Sequence, residues 1–330
     1  MHRYIIASNF FKNNFKKIYD KSVCTIGENA THSIIKNTLY NKYCGGENIE
    51  ELRLTLNKLN KLNIGTLISY GLENARMRNL QETYNIIEQA VTIANNNTIK
   101  PIYALKITSI IDRDALIIAT TSNETFYTIY YKLKKLVDII IKNGCTVAID
   151  AEDFEIQVAI NKLAILLMYY YNTHEANVYN TYQTYLIGTN IKLKSDLRIL
   201  QSQGIVFAAK LVKGAYLATD YIKYPTEIYN SKYGTNESYD HLASYLLQNN
   251  SYLIAATHNR ESTEKIIMNK NYNKNMVLFG HLLGIADSLT NELLLNNHRV
   301  YKHVTYGDLS ITIPYLIRRL HDNPNILSIQ

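Results

Sequence analysis

The sequence predicts an α/β fold in which eight parallel strands close into a (β/α)8 barrel. From Asn48 onward, short runs rich in Val, Ile and Tyr alternate with longer amphipathic segments, as in βαβ units built on a parallel sheet. Eight such runs can be counted, which is the number that closes a barrel of this kind. A length of 330 residues leaves room for a barrel of roughly 250 residues and an N-terminal extension.

The order of the elements supports this fold. Candidate strands cover residues 65–70, 103–110, 145–151, 177–183, 205–212, 252–257, 276–281 and 299–304. Apolar-periodic segments at 127–142, 154–171, 192–203 and 239–248 are long enough to cross back over the sheet as helices. Gly144 and Gly204 follow two of these segments, where a glycine lets a helix end and the chain turn back. Residues 221–236 are predicted to be the longest irregular insertion.

The composition excludes several classes of protein. Hydrophobic residues make up 47% of the chain and charged residues 19%, which supplies a core and argues against global disorder. The net charge of +7 is spread over scattered lysines without a basic stripe, so nucleic-acid binding is not expected. Cys24, Cys44 and Cys145 are odd in number and far apart, so neither a disulfide framework nor a metal site is expected. No apolar run approaches the ~20 residues that cross a bilayer.

Residues 1–47 are predicted to be an N-terminal extension with a lead-in helix, and residues 48–330 to form the barrel. The first nineteen residues carry Lys and Arg side chains and apolar residues such as Ile5 and Phe10, with no acid before Asp20. This pattern is typical of a mitochondrial presequence. A basic arm without a targeting role is the alternative, and it would leave the protein in the cytoplasm.

Polar residues fall near the ends of the candidate strands, where a barrel places its active site. They are Lys106 inside strand two, Asp150 and Glu152 ending strand three, Gln183 ending strand four, Lys210 and Lys213 in strand five, and His258 after strand six. Four of them, Lys106, Asp150, Gln183 and Lys210, alternate with apolar neighbours and are expected to form one charged, partly desolvated pocket suited to a polar cofactor ring. For any one of these residues, a helix cap or a structural ion pair is the alternative.

The last predicted helix carries Tyr315, Arg318, Arg319 and Asp322 within about a third of its circumference. A pair of arginines on one face can grip a carboxylate through charge-assisted hydrogen bonds, which indicates an amino-acid or keto-acid substrate. Solvated surface arginines are the alternative. The chain has no glycine-rich nucleotide fingerprint, no P-loop, no Gly-x-Ser-x-Gly elbow and no His-Glu-x-x-His motif, so nicotinamide enzymes and the commonest hydrolases are disfavoured.

Seven segments carry a resemblance to a known family. They are AIDAED (148–153), NTYQTYL (180–186), AKLVKGAYL (209–217), ATHN (256–259), FGHLLGIAD (279–287), YGD (306–308) and PYLIRRLHDN (314–323). In order and spacing, from about residue 40 to residue 325, the chain resembles the proline dehydrogenases, including their hydroxyproline dehydrogenase branch. The resemblance implies a distorted barrel that binds FAD without a Rossmann domain. It also implies oxidation of proline to 1-pyrroline-5-carboxylate by hydride transfer to flavin N5, with electrons passed to a membrane quinone and peripheral contact with the membrane.

The resemblance also implies roles for individual residues. Arg318 and Arg319 would bind the substrate carboxylate, with Asp322 paired to them and Tyr216 and Tyr315 lining the ring pocket. The catalytic set would be Lys106, Asp150 and Lys210, with Lys210 near flavin N5, where bacterial relatives carry Arg. Gln183 would contact the flavin ring, and the FAD tail would be held by Lys213, Gly214, Thr257, His258 and Asn259.

Two positions depart from the family pattern. His281 stands where relatives usually have Gln, which would affect contacts with the flavin. His303 stands where proline enzymes carry Tyr and hydroxyproline-preferring relatives carry Ser. Since a histidine leaves more room than Tyr and can donate a hydrogen bond, 4-hydroxyproline is the alternative substrate.

Two other functions are considered. A barrel lyase could use Lys106 or Lys210 as a Schiff-base nucleophile. An inactive flavin-binding homologue is compatible with His281 and His303, although the presence of both arginines and Asp150 argues against it.

Overall fold

The computed structural model describes residues 17–73, 75–77, 79–214 and 216–322, apart from the side chains of Met77, Ala218, Thr219 and residues 318–322. In this part of the chain eight parallel strands close into a barrel in sequential order. The strands are β1 Gly65–Tyr70, β2 Ile102–Leu105, β3 Thr146–Ile149, β4 Val178–Gln183, β5 Ala208–Val212, β6 Tyr252–Ala256, β7 Val277–Leu282 and β8 Val300–Tyr306. β8 pairs with β1 along the whole of β1, which closes the sheet and confirms the predicted fold.

Helices surround the sheet. Those of six residues or more in the described chain from residue 28 onward are α1 Glu28–Ile35, α2 Ile49–Lys61, α3 Leu80–Ala94, α4 Arg113–Ile118, α5 Asn123–Lys142, α6 Phe154–Tyr171, α7 Thr189–Ser202, α8 Leu217–Lys223, α9 Lys232–Gln248, α10 Arg260–Ile267, α11 Asp287–Leu295 and α12 Leu309–Asp322. None of the helices in the described residues combines the length and the apolar composition that spanning a membrane requires.

The strands are buried on both faces because helices cover the outside of the barrel and side chains fill its inside. Every residue of β1 and of β4 is buried. Across the eight strands, residues such as Val, Ile, Leu, Ala and Tyr predominate, which made the strands recognisable in the sequence. Gly144 and Gly204 adopt φ of 76° and 73° after α5 and α7, so the predicted glycine stops are confirmed.

The predicted second strand is too long. β2 ends at Leu105, and residues Ile107–Ser109 form a 3₁₀ turn. The turn forms because the backbone N–H of Thr108 donates to the buried Glu152 carboxylate instead of to a neighbouring strand. Lys106 therefore lies just after β2, not inside it. Asp150 and Glu152 likewise follow β3, and Lys213 follows β5.

The prediction of an irregular insertion at 221–236 is also wrong. α8 ends at Lys223, and α9 begins at Lys232, so the irregular stretch is short. Ser231 starts α9 by accepting a hydrogen bond from the N–H of Gly234 at 3.0 Å. Ile228, which is 1% exposed, anchors the connection by bridging to Leu186.

The segment before β1 is helical in its described part, as predicted, and packs on the last helix. Ile35 and Leu39 share an apolar cluster with Leu309, Ile313 and Leu316 of α12. The chain around Tyr40 is tied to the loop before α12, since the Tyr40 hydroxyl donates to the Gly307 carbonyl at 2.6 Å. These contacts hold α12 near the carboxyl end of β8.

Candidate functional site

A cavity of about 660 Å³ lies at the carboxyl ends of the strands and is lined by residues that belong to each of the eight strands or directly follow it. Every proposed site residue whose side chain is described lines it: Lys106, Asp150, Gln183, Lys210, Lys213, Gly214, Tyr216, Thr257, His258, Asn259, His281, His303 and Tyr315. Arg318, Arg319 and Asp322 lie on α12, but their side chains are outside the described residues. The structure therefore brings together residues that are more than 200 positions apart in the sequence.

The centre of the cavity holds a buried ion pair between β3 and β5. Lys210 Nζ donates to Asp150 Oδ1 at 2.6 Å, and the two residues are 5% and 8% exposed. Burial by itself would raise the pKa of Asp150, but the charges of Lys210, His303 and Lys106 and the hydrogen bond from Lys210 lower it overall. Asp150 is therefore a carboxylate, and it fixes the position of the Lys210 ammonium.

A second lysine in the cavity is fixed by a residue that the sequence analysis missed. Lys106 Nζ donates to Glu73 Oε1 at 2.8 Å and lies 5.8 Å from the centre of the Tyr315 ring. Glu73 follows the end of β1 by three residues, so it occupies the same edge of the barrel as the predicted polar residues. Its place after a strand end was the one feature of the sequence that could have indicated Glu73 as a site residue. It was missed because Gly71 and Leu72 separate Glu73 from the strand.

The side chain of Gln183 is held in place by a hydrogen bond to the backbone of the loop after β3. Its Nε2 donates to the carbonyl of Glu152 at 2.9 Å, and the N–H of Glu152 donates to Gln157 Oε1 at 2.7 Å. The Glu152 carboxyl accepts hydrogen bonds from the N–H and the hydroxyl of Thr108. The loops after β2 and β3 are thus joined to each other and to the end of β4.

Glu152→Gln is expected to make the stability of the protein less dependent on pH. Burial raises the pKa of Glu152 from 4.5 to about 7, although both hydrogen bonds from Thr108 lower it. The folded chain then holds a proton that the unfolded chain releases between these two values, so stability falls as pH rises from about 4.5 to 7, by roughly 3 kcal/mol. Urea unfolding at pH 5 and pH 8 measures the difference. An equally steep fall in the Gln variant would contradict this assignment.

One side of the cavity is lined by cationic and amide side chains from the β5 and β6 loops and from α9. Lys213 Nζ donates to Asn236 Oδ1 at 2.6 Å and to Ser262 Oγ at 3.0 Å. Burial lowers the pKa of Lys213 to about 8, and nearby Lys232 adds to that effect. Lys232 and Asn236 were missed because their helix was predicted to be irregular, although they line the cavity beside Lys213.

Backbone geometry also shapes this side. Gly214 has φ of 130°, and a side chain there would place its Cβ 1.9 Å from the ring of Tyr185, so this position requires glycine. Asn259 accepts a hydrogen bond from the N–H of Ser262 at 2.9 Å and starts α10. His258 Nε2 accepts one from the N–H of Leu282 at 3.0 Å. Asn259 therefore has a structural role beside any binding role.

Three polar atoms of residues that line the cavity are buried without a hydrogen-bond partner among the described residues. They are Thr181 Oγ1, Gln183 Oε1 and His281 Nε2. An unpartnered buried polar group costs about 1–3 kcal/mol, which a bound molecule with matching polar groups can offset. Together with the ammonium groups of Lys106, Lys210 and Lys213, these atoms suit a ligand that has both a polar ring and anionic groups.

The family model for proline dehydrogenase matches residues 52–329, which include all eight strands and every cavity residue named above. Proline dehydrogenase 1, mitochondrial, of Dictyostelium discoideum is 25% identical to this chain over 389 residues, covering 98% of this chain and 68% of the relative. Hydroxyproline dehydrogenase of Xenopus laevis is 24% identical over 348 residues, covering 89% of this chain and 75% of the relative.

A solved structure has the same barrel. Proline utilization A from Bdellovibrio bacteriovorus, inactivated by N-propargylglycine, superposes with a TM-score of 0.77 at 19% identity, over 86% of this chain and 32% of that protein. The chain thus spans about a third of the length of that protein. At this identity the likeness shows the fold alone. The match of the family model over most of the chain, with the barrel and its cavity, shows that the chain belongs to the proline dehydrogenase family of enzymes.

Proposed function

We propose that the chain oxidises L-proline to 1-pyrroline-5-carboxylate with FAD bound in the barrel cavity. The observation that carries the proposal is the ion pair of Asp150 and Lys210 beside Lys106, in a cavity whose wall presents unpartnered polar atoms. Membership of the proline dehydrogenase family supports the substrate class.

The lining residues fit a flavin nucleotide. Gln183 and Thr181 offer unpartnered oxygens to the polar edge of an isoalloxazine ring. Lys213 and Lys232 offer positive charge to a diphosphate, and Thr257, His258, Asn259 and the backbone at Gly214 line the same side. When bound, FAD supplies the acceptor for the hydride.

The substrate would lie between the cofactor and α12. Arg318 and Arg319 clamp its carboxylate, Asp322 pairs with the arginines, and Tyr216 and Tyr315 enclose its ring. Lys210, held by Asp150, would place a positive charge beside the cofactor, where it would stabilise the negative charge that the flavin gains on accepting the hydride. Lys106, held by Glu73, contributes a second positive charge at the substrate side. The substrate nitrogen would release one proton to solvent before the hydride leaves, so that its free lone pair can form the C=N bond.

We further propose a quinone as the electron acceptor, reached by peripheral contact with the matrix side of the mitochondrial inner membrane. The basic first nineteen residues and the mitochondrial relative from Dictyostelium support this location. In this proposal residues 1–47 form the extension and residues 48–330 the FAD-binding barrel. A cytoplasmic protein is expected if the N-terminus is not a presequence.

An absorbance spectrum of the purified protein tests the proposed function. We expect the visible bands of oxidised flavin, and we expect proline to bleach them under anaerobic conditions. A protein that stays colourless after incubation with FAD would contradict FAD binding. Flavin bands that neither proline nor hydroxyproline bleaches would indicate the inactive homologue. Trapping of a keto-acid substrate by borohydride would indicate the lyase instead, although Lys106 and Lys210 are both engaged by carboxylates.

His303 favours 4-hydroxyproline as the second candidate substrate, because it lines the cavity from β8. We expect His303→Tyr to raise the ratio of kcat/KM for proline to kcat/KM for hydroxyproline by roughly 10-fold, since Tyr fills the space and removes the imidazole that could bond a hydroxyl. His298→Tyr is the control, because His298 lies just before the amino end of β8 and does not line the cavity. An unaltered ratio in His303→Tyr would remove this residue from substrate selection.

A further inference from the structure

His281 is a buried histidine of the cavity wall with one ring nitrogen paired and the other not. It lies in β7 and is 1% exposed. Its Nδ1 is 2.8 Å from Oγ1 of Thr290 on α11, whereas Nε2 has no hydrogen-bond partner among the described residues. If the proton is on Nε2, this nitrogen is a hydrogen-bond donor in the cavity wall. If the proton is on Nδ1, Nε2 is an acceptor.

The hydroxyl of Thr290 has two neighbours but only one proton. Its Oγ1 donates to the carbonyl of Ala286 at 3.0 Å. A hydroxyl that donates to Ala286 can only accept from His281, so the imidazole proton must be on Nδ1. If the hydroxyl donated to Nδ1 instead, the bond to Ala286 would be lost. The first arrangement makes two hydrogen bonds and the second makes one, so the Nδ1–H ring is more stable.

The carbonyl of Ala286 is fixed by the loop between β7 and α11. Ala286 itself has φ of 57°. Lys302, which is 2% exposed, donates through Nζ to the carbonyl of Ile285 at 2.6 Å and to Asp287 Oδ1 at 2.7 Å. The loop cannot shift without breaking these bonds of a buried lysine. The surrounding loop therefore fixes the positions of the groups in the series of hydrogen bonds from the Ala286 carbonyl through Thr290 to His281.

The environment keeps the ring neutral. Burial, with the nearby His258 and Lys302, lowers the pKa of His281 to about 3. The ring of His258 lies 5.8 Å away, centre to centre. A neutral ring with its proton on Nδ1 leaves a lone pair on Nε2.

We propose that Thr290 is a positioning residue that holds His281 as the Nδ1–H tautomer, so that Nε2 accepts a hydrogen bond from an N–H or O–H group of the bound cofactor. The identity of that cofactor rests on the proposed function, whereas the tautomer does not. An amide side chain at this position could donate or accept, whereas Nε2 of this Nδ1–H histidine only accepts. The site therefore selects a donor group on the cofactor.

Long-range ¹H–¹⁵N spectra of the histidine rings in the full, flavin-free chain test the tautomer. The chain has nine histidines, and His281→Gln identifies the signals of this one. We expect a protonated Nδ1 and an unprotonated Nε2 at neutral pH. Thr290→Val should shift the tautomer ratio toward Nε2–H by roughly 2- to 10-fold, because one hydrogen bond is lost, whereas Thr290→Ser should keep the ratio. A proton on Nε2 in the wild type, or an unchanged ratio in Thr290→Val, would overturn the proposal.

Titration of the flavin-free proteins with FAD, followed by flavin fluorescence, tests the acceptor role. We expect His281→Leu and Thr290→Val to bind FAD several-fold more weakly than His281→Gln and Thr290→Ser, respectively. Equal affinities within each pair would overturn the acceptor role. Failure of the wild type to bind FAD would instead count against the proposed function, and the ring spectra would still decide the tautomer.

Discussion

Lys210→Met is expected to lower kcat/KM for proline by roughly 10²- to 10³-fold, the loss typical of removing one preorganised charge from an active site. The variant also leaves the Asp150 carboxylate buried without the ammonium that donates to it at 2.6 Å. Breaking a buried pair in this way costs about 3–5 kcal/mol of folding free energy. Dye-coupled proline oxidation measures the first effect, and urea unfolding measures the second.

Two further variants separate the effect of the Lys210 charge on catalysis from the effect of a lost ion pair on folding stability. Lys210→Arg keeps a cation at the same place, so it should retain much more activity than Lys210→Met. Lys192→Met removes a lysine from another buried aspartate, Asp196, on the outer helix α7, and should leave proline kinetics unchanged. Wild-type kinetics in Lys210→Met would show that this charge does not act on the reaction.

Arg319→Ala is expected to raise KM for proline by a factor that corresponds to roughly 2–5 kcal/mol, while FAD stays bound. Positions 318 and 319 follow Tyr315 by three and four residues, so they belong to the face of α12 on which Tyr315 meets the cavity. A guanidinium in that position would hold the substrate carboxylate by charge-assisted bonds.

Steady-state kinetics with proline, together with the flavin content of the purified variant, check this expectation. Arg53→Ala, on the outer helix α2 with a half-exposed side chain paired to Glu50, is the control for loss of a surface arginine. Unchanged proline kinetics in Arg319→Ala would remove this residue from substrate binding.

The sequence by itself predicted the barrel and most of the cavity lining. Strand β1 and helix α6 were predicted at their observed bounds, because buried parallel strands and amphipathic helices have different periods of apolar residues. Residues at strand ends, such as Asp150 and Gln183, were predicted to converge because all strands of a parallel barrel present their carboxyl ends at one mouth. The resemblance of the motifs to a family supplied their proposed roles.

The tertiary structure decided the features that depend on contacts between distant segments. Strand β2 stops early because a turn binds Glu152, which is 44 positions away from Thr108. The pairing of Lys106 with Glu73, and the helix that brings Lys232 and Asn236 to the cavity, likewise follow from packing that no local pattern encodes. The orientation of His281 depends on a hydroxyl from the next helix and a carbonyl from the loop between them. Periodicity reports the face on which a residue lies, whereas the partner it meets is set only when the elements pack together.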